Sequence, residues 1–239
     1  MLKMRETITA QMATYPARLE ILPAAINSLL PQVDRLNVML NGYSESFIPS
    51  CCKHSKIRVH YLDNSMTDAA VYYGIDKLKG YIFTCDDDIY YPPDYVEKTI
   101  AKIEEYKRKY VITYHGRVWN DLPIKNFYTD RKDKGLPTEG MYRCMEGFEG
   151  DHFVDCGGDG VMAFHSDTFT MRFDYCEFPN MSQLWIALKC NEDGVKQIAI
   201  GHPEGWFKDL TINEEDTIWA WENQNCGLQT RLVNERFKK

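Results

Sequence analysis

The sequence predicts an α/β fold in which a mostly parallel central sheet is flanked by helices. Short apolar segments that are typical of buried strands alternate with amphipathic segments over the first 114 residues. This alternation is typical of strand–helix units joined in parallel. After residue 114 the periodicity weakens, and an irregular region precedes a helical pattern at the C-terminus. We therefore expect a single domain over residues 1–239 with two halves, 1–114 and 115–239.

The elements of the first half follow from apolar spacing and turn residues. Apolar runs predict strands at 7–14, 35–40, 57–61, 81–85 and 110–114. Leu22, Ile26 and Leu29 recur at helical spacing and predict a helix over 17–30. A second helix is expected over 68–78. A third begins at Pro92-Pro93-Asp94, since proline suits the first turn of a helix.

The second half is less regular. Residues 115–155 are polar and rich in glycine, aspartate and aromatic residues, and a segment of this kind is usually functional or mobile. The loop Gly157-Gly158-Asp159-Gly160 leads into a strand at 161–164. A helix is expected at 181–190 and a strand at 195–200. A helical pattern covers 214–237, with Gly227 as a potential break.

Composition excludes several classes of protein. The formal net charge of -7 argues against broad electrostatic attraction to nucleic acid. No segment reaches the roughly 18 apolar residues expected of a membrane span, and no signal peptide is recognisable, so we expect a cytoplasmic protein. The eight cysteines contain no Cys-x-x-Cys pair, which predicts free thiols rather than a zinc site.

The most informative motif is the run Asp86-Asp87-Asp88, directly after the apolar segment 80–85. Adjacent carboxylates repel one another and are best tolerated around a cation. The carboxyl end of a buried strand is where open α/β sheets bind ligands. Oxygen ligands suit Mg²⁺ or Mn²⁺, and Mg²⁺ is usually held by one or two carboxylates together with substrate phosphates. The motif therefore indicates a metal that holds a diphosphate; the alternative is an acidic turn that caps the next helix.

Three segments resemble the GT-A glycosyltransferases, especially the family-2-like enzymes that build bacterial capsule and lipopolysaccharide. They are Thr14-Tyr15-Pro16-Ala17-Arg18, Asn41-Gly42 and, most specifically, the stretch from Gly80 to Tyr95 around the aspartates. The resemblance implies a GT-A (Rossmann-like) fold in which residues 1–114 bind a nucleotide sugar, with UDP-sugar favoured, and residues 115–239 bind a glycan acceptor. It also implies a Mn²⁺ or Mg²⁺ cofactor.

The resemblance also implies roles for individual residues. Asp88 would bind the metal and Asp86 the nucleoside, with Asp87 undecided between the two. His202, after a late strand, would be the third metal ligand that family members often supply; the alternative is an ordinary hydrogen-bonded loop residue. The expected donor-binding residues are Thr14, Tyr15, Arg18, Asn41, Asp68, Asp86 and Asp87.

The catalytic base is harder to place. Relatives carry an aspartate near the start of a helix, where this chain has Gln183. Glutamine cannot accept a proton, so the base lies elsewhere, the residue has been altered, or the mechanism has changed. The nearest substitutes are Asp151, Asp155 and Asp159, and Asp159 is flanked by glycines that would give it freedom to approach an acceptor.

Four hypotheses follow. The first is a metal-dependent glycosyltransferase that acts on a glycan. The second keeps the donor chemistry and transfers to DNA or protein, although the acidic charge weighs against DNA. The third is a nucleotide-sugar-binding protein without a catalytic base. The fourth is a nucleotidyltransferase, which residues 14–19 disfavour because they contain neither glycine nor lysine.

Overall fold

The computed structural model describes residues 6–119, 121–130, 140–213, 217–218, 220 and 225–238. The strands in these ranges are β1 (Ile8–Thr14), β2 (Arg35–Asn41), β3 (Ile57–Leu62), β4 (Tyr81–Cys85), β5 (Ile89–Tyr90), β6 (Val111–Thr113), β7 (Gly116–Arg117), β8 (Met141–Tyr142), β9 (His152–Val154), β10 (Cys156–Gly157), β11 (Val161–His165), β12 (Gln197–Ala199) and β13 (Lys208–Asp209). The α-helices are α1 (Leu22–Leu29), α2 (Tyr95–Glu105), α3 (Ser182–Glu192) and α4 (Gly227–Arg236).

Eight of the described strands form the central sheet, in the order β3-β2-β1-β4-β11-β6-β12-β9. Strands β3, β2, β1 and β4 are parallel, and so is the pair β6–β12. Strand β11 runs antiparallel to both β4 and β6, and β9 runs antiparallel to β12. This arrangement confirms the predicted α/β class and its GT-A type of sheet.

The sheet is covered on both faces, which explains why successive residues of its central strands are buried rather than alternating between buried and exposed. All five residues of β4 are buried. On one face α1 packs through Leu22, Ile26 and Leu29 into the core. On the other face α3 is buried along nearly its whole length and contributes Trp185 to the second core.

Two helix predictions need correction, and the C-terminal prediction is confirmed where the residues are described. Residues 68–78 form no α-helix but two 3₁₀ turns, Thr67–Tyr72 and Ile75–Lys77, separated by Gly74 at φ +68°. Glycine adopts this left-handed conformation without the steric cost of a Cβ, so the chain can turn there. The first helix begins only at Leu22, after a 3₁₀ turn at Pro16–Arg18. At the C-terminus the structure agrees with the predicted helical pattern and its break: Ile218 and Ala220 are helical, the chain turns at Cys226, and α4 begins at Gly227, while residues 214–216, 219 and 221–224 lie outside the described residues.

Two predictions from composition can be compared with the structure. None of the helices in the described ranges is long and apolar enough to cross a bilayer. All eight cysteines are free thiols, and seven of them are buried. The thiols therefore contribute to packing in this structure.

Candidate active site

A cleft of about 910 Å³ opens at the carboxyl edge of the parallel strands. In open α/β sheets this edge is the usual ligand site, because successive loops leave the sheet on the same side. The polar residues that line it include Thr14, Tyr15 and Arg18 after β1, Asn41 at the end of β2, Asn64, Thr67 and Asp68 after β3, Asp86, Asp87 and Asp88 after β4, Asp159 before β11, Ser182 at the start of α3, and Asp209 and Thr211 in and after β13.

The structure brings together most of the site residues that the sequence indicated. Those that line the cleft are Thr14, Tyr15, Arg18, Asn41, Asp68, Asp86, Asp87, Asp88 and Asp159. Three predicted residues lie elsewhere, namely Asp155, Gln183 and His202. Residues that sequence reasoning missed include Asn64, His115, Asn180, Ser182 and Asp209, which come from segments without a recognisable motif.

Burial and mutual repulsion raise the pKa values of the aspartate triplet. Burial and the charge of Asp88 raise the pKa of Asp87 to about 7. The side chain of Asp86 is partly open to the cleft, yet desolvation and the charges of Asp88 and Asp159 raise its pKa well above the ordinary value. Arg18 offsets this in part, since its Nη2 lies 3.4 Å from Asp88 Oδ2.

The position of Asp86 is fixed by its contact with the glycine-rich loop. The Tyr91 hydroxyl donates to Gly160 O at 2.5 Å, and Asp86 N donates to the same hydroxyl at 2.7 Å. A Cβ placed on Gly160 would lie only 1.8 Å from Asp86 Oδ2. Glycine is therefore required at position 160 because the Asp86 carboxylate occupies the space of a side chain.

Asp209 lies beside Asp88 because β13 pairs antiparallel with β5, which follows the triplet. Leu210 N donates to Asp88 O at 2.8 Å. Burial is the larger cause of the raised pKa of Asp88, and the charge of Asp209 adds to it. No group of three or more His, Cys, Asp or Glu side chains within the described ranges could hold a metal. The oxygen donors at Asp88 and Asp209 fit Mg²⁺ or Mn²⁺ only as a partial coordination shell, which is how Mg²⁺ is usually bound with substrate phosphates.

His202 is not directed at the aspartates. Its Nδ1 lies 3.1 Å from Ile200 O and its Nε2 lies 2.8 Å from Cys144 O, so both ring nitrogens face backbone carbonyls. The ring packs among aromatic side chains that include Tyr114 and Phe207. It lines a separate pocket of about 300 Å³. In this arrangement the alternative from the sequence, a hydrogen-bonded loop residue, describes His202 better than the role of metal ligand.

Gln183 and Asp155 also lie outside the cleft, which corrects their assignment to the catalytic centre. Gln183 Oε1 accepts a hydrogen bond from Arg117 Nη2 at 3.4 Å. Asp155 Oδ2 accepts one from Trp119 N at 2.9 Å and so supports the loop that follows β7. The helical phase of α3 places Ser182, not Gln183, on the cleft.

Asp68 is held by four donors. Its Oδ2 accepts from Ser182 N at 2.9 Å and from Ser182 Oγ at 2.7 Å, while Oδ1 accepts from Ala69 N at 2.8 Å and Thr67 Oγ1 at 3.1 Å. Burial nevertheless raises its pKa. Asp68 therefore joins the start of α3 to the segment after β3, and it shapes the cleft as a structural carboxylate.

Asp159 faces the same network from the glycine-rich loop. The Tyr72 hydroxyl lies 3.1 Å from Asp159 Oδ2 and 3.2 Å from Ser182 O, so its single hydrogen is shared between the two acceptors. Burial and the charge of Asp68 raise the pKa of Asp159 to about 6, against the stabilising hydrogen bonds of Ser182 and Tyr72. A carboxylate of this kind can take up and release a proton near neutral pH.

The sheet and the cleft together define a protein of the GT-A type, with an acidic site at the carboxyl edge that suits a metal-bound phosphate ligand. Comparison with family models identifies it further. The model described as "Glycosyl transferase family 2" matches residues 11–147, more than half of the chain, and the chain belongs to that family. None of the curated proteins matches the chain by sequence at a significant level.

Comparison with solved structures supports the fold at low sequence identity in one case. The 4-diphosphocytidyl-2C-methyl-D-erythritol synthase from Anaerococcus prevotii DSM 20548 aligns with a TM-score of 0.52 and 14% identity, over 93% of this chain and 96% of that one. The galactosyltransferase LgtC, in complex with donor and acceptor sugar analogues, aligns with a TM-score of 0.39 and 13% identity, over 67% of this chain and 59% of that one. The first likeness supports the fold, and the second is too distant to add to it.

Proposed function

We propose that this glycosyltransferase moves a sugar from a nucleotide sugar to a hydroxyl group of a glycan, with a divalent metal bound between the enzyme and the donor diphosphate. UDP-sugars are the first candidates as donors. One observation carries the proposal. Among the described residues that line the cleft, six are carboxylates and Arg18 is the one side chain with a fixed positive charge. A divalent cation held by these carboxylates would offset the repulsion among them and the charge of a bound diphosphate.

The metal would be held by Asp88, with Asp209 as the neighbouring carboxylate, and the diphosphate would supply further ligands. When bound, it neutralises charge that develops on the leaving diphosphate oxygen. Arg18, which lies beside Asp88, is placed to pair with the same phosphates. The protein would thus hold the leaving diphosphate through the metal bound to Asp88 and through the guanidinium of Arg18.

The nucleoside would lie along the loops after β1, β2 and β3. Asn41 Nδ2 donates to Thr67 O at 2.9 Å, while its buried Oδ1 has no hydrogen-bond partner among the residues that the structure describes. A buried acceptor without a partner costs free energy, so a donor from the ligand would be favourable there. The imide N–H of uracil is such a donor, and Asp86 lies across the cleft as a second contact for the nucleoside.

Three other functions remain to be weighed for the same cleft: nucleotidyl transfer, glycosyl transfer to DNA or protein, and binding of a nucleotide sugar without catalysis. The fold likeness to a synthase of a diphosphocytidyl compound keeps nucleotidyl transfer as a second candidate. That chemistry usually relies on a phosphate loop rich in glycine and basic residues, but residues 14–19 contain one cation, Arg18, and no glycine. Transfer to DNA or protein would use the same donor site, and the net charge of -7 disfavours DNA. A binding protein without a base would bind the donor and leave it intact.

Thermal unfolding with UDP and Mn²⁺ tests the donor site. A ligand at 100 times its Kd stabilises a protein by about 2.7 kcal/mol, which corresponds to a rise in Tm of roughly 5–10 °C for a chain of this length. Asp88→Ala should abolish the part of this rise that depends on Mn²⁺. Asp174→Ala is the matched control, since Asp174 is an exposed carboxylate paired with Arg172 outside the cleft. The donor assignment fails if UDP and GDP give no shift with Mn²⁺ or Mg²⁺.

A screen of UDP-glucose, UDP-galactose, UDP-N-acetylglucosamine and GDP-mannose, read by release of UDP or GDP, then identifies the donor. Turnover would separate an enzyme from a binding protein. Release of pyrophosphate from UTP or CTP, with no release of UDP from any sugar donor, would instead establish nucleotidyl transfer.

A further inference from the structure

We propose that Asp159 is the catalytic base that deprotonates the acceptor, in place of the helix residue that is glutamine in this chain. The inference rests on the proposed glycosyl transfer. In the step, the acceptor oxygen bonds to the anomeric carbon of the donor as the bond from that carbon to the diphosphate oxygen breaks. The electron pair of the broken bond leaves with the diphosphate, and the acceptor proton passes to the Asp159 carboxylate.

The first support is position. Asp159 lies between β10 and β11, and β11 runs antiparallel to β4, so its start meets the end of β4 at the cleft. Two hydrogen bonds join these segments: Thr84 Oγ1 donates to Asp159 O at 2.5 Å, and Asp86 N donates to Gly160 O at 3.2 Å. The Asp159 carboxylate is therefore held next to the donor site. Asp88, which would bind the metal, is the last residue of the triplet and follows these contacts in the chain.

The second support is rigidity, and it corrects the expectation that glycines make this loop flexible. A Cβ on Gly158 would lie 2.9 Å from His115 Cβ, and a Cβ on Gly157 would lie 2.7 Å from Gln197 Oε1. Neither glycine has a positive φ. Close packing thus accounts for the glycines, and the loop presents Asp159 in a fixed position, as base catalysis requires.

The third support is the surroundings of the carboxylate. Asp68 and Tyr72 face it from the segment after β3, Asp86 from the end of β4, and the thiols of Cys156 and Cys176 lie near enough to be affected by its charge. The Tyr72 hydroxyl donates only a shared hydrogen, so it orients the carboxylate without satisfying it. A base works best when its pKa lies near the working pH, and a value of about 6 meets that condition.

The fourth support is that the other acidic candidates are occupied. Asp68 accepts four hydrogen bonds from the protein. Asp155 accepts from Trp119 N outside the cleft, and Asp151 is paired with Lys102 and Tyr106. The remaining cleft carboxylates belong to the triplet or lie beside Asp88. Asp159 is thus the cleft carboxylate among the described residues that has capacity for a proton and is assigned neither to the nucleotide nor to the metal.

The test measures UDP release, with water as acceptor, from whichever of UDP-glucose, UDP-galactose and UDP-N-acetylglucosamine the native enzyme turns over. Asp159→Asn should lower kcat at least 100-fold, since a positioned base contributes about 10²–10⁴-fold. The rise in Tm caused by UDP and Mn²⁺ should be unchanged. In the native enzyme kcat should fall about tenfold per pH unit below pH 6, because a protonated base cannot accept a proton. Gln183→Asp should stay within threefold of the native rate, since residue 183 faces Arg117.

An Asp159→Asn variant that stays within threefold of the native rate would overturn the proposal, and so would a Gln183→Asp variant that is substantially faster. If Asp159→Asn does not fold, Tyr72→Phe decides. Loss of the hydroxyl that stabilises the Asp159 carboxylate should move the acid limb of the profile to higher pH, and an unmoved limb would exclude Asp159. A native protein without a UDP-dependent shift signals failure of the proposed function itself, which differs from failure of the base assignment alone.

Discussion

The carboxylate of Asp159 should make the stability of the ligand-free protein depend on pH in a measurable way. Its pKa rises from the ordinary value of 3.8 to about 6 in the fold. At about 1.36 kcal/mol per pH unit, this rise corresponds to roughly 3 kcal/mol. Because the folded pKa is raised, the folded protein binds the proton more tightly than the unfolded chain. The contribution is fully present below about pH 4 and is lost as the pH rises through 6.

Asp159→Asn isolates this contribution, because asparagine keeps an oxygen acceptor for the Tyr72 hydroxyl and cannot ionise. Between pH 4 and pH 8 the free energy of unfolding of the native protein should fall by about 3 kcal/mol relative to the variant. The equivalent difference in Tm is roughly 6–12 °C for a domain of this size. Urea titrations of both proteins in EDTA, at half-unit steps of pH, would measure it. Stability curves that stay parallel across this range would refute the electrostatic reasoning about the cleft.

Two further substitutions probe the geometry of the site. Gly160→Ala should displace the Asp86 carboxylate, since the added Cβ would lie 1.8 Å from Oδ2. Calorimetry should then show UDP binding at least tenfold weaker. The control is Gly227→Ala, where a Cβ meets nothing within 4 Å, and this variant should bind UDP normally. His202→Gln should lower Tm through the lost packing and hydrogen bonds but leave the Mn²⁺ requirement for UDP binding unchanged. If His202→Gln needed more Mn²⁺ for UDP binding than the native protein, His202 would be a metal ligand after all.

The sequence was sufficient to predict the parallel part of the sheet and the residues that end each of its strands. These features are local: an apolar run becomes a buried strand, and the polar residue that follows it lies at the carboxyl edge. Asp86 was found in this way, whereas Thr14 and Asn41 were assigned through the resemblance to GT-A glycosyltransferases. The alternation of strand and helix then implied that these residues share one edge, and the structure agrees.

The remaining parts of the site depend on long-range pairing and on side-chain direction. Asp209 lies beside Asp88 because a two-residue strand pairs across more than 100 residues of chain, and such a strand has no apolar pattern. Gln183 lies next to Ser182 in sequence, but one step along a helix turns the side chain by about 100° and places it against Arg117. Residues that are adjacent in sequence can therefore differ in whether their side chains line the cleft.

The insertion of β11 between β4 and β6 has a consequence for the exchange of parts between related enzymes. This strand comes from the second half of the chain, yet it supplies the partner for the edge of β4 that carries the aspartates. A chimera joined at residue 114 would combine β4 with a foreign β11, and the fit between Gly160 and Asp86 would have to be rebuilt. A chimera designed to exchange acceptor preference should therefore keep residues 156–165 together with the first half. The native β11 would then still pair with β4 beside the aspartates.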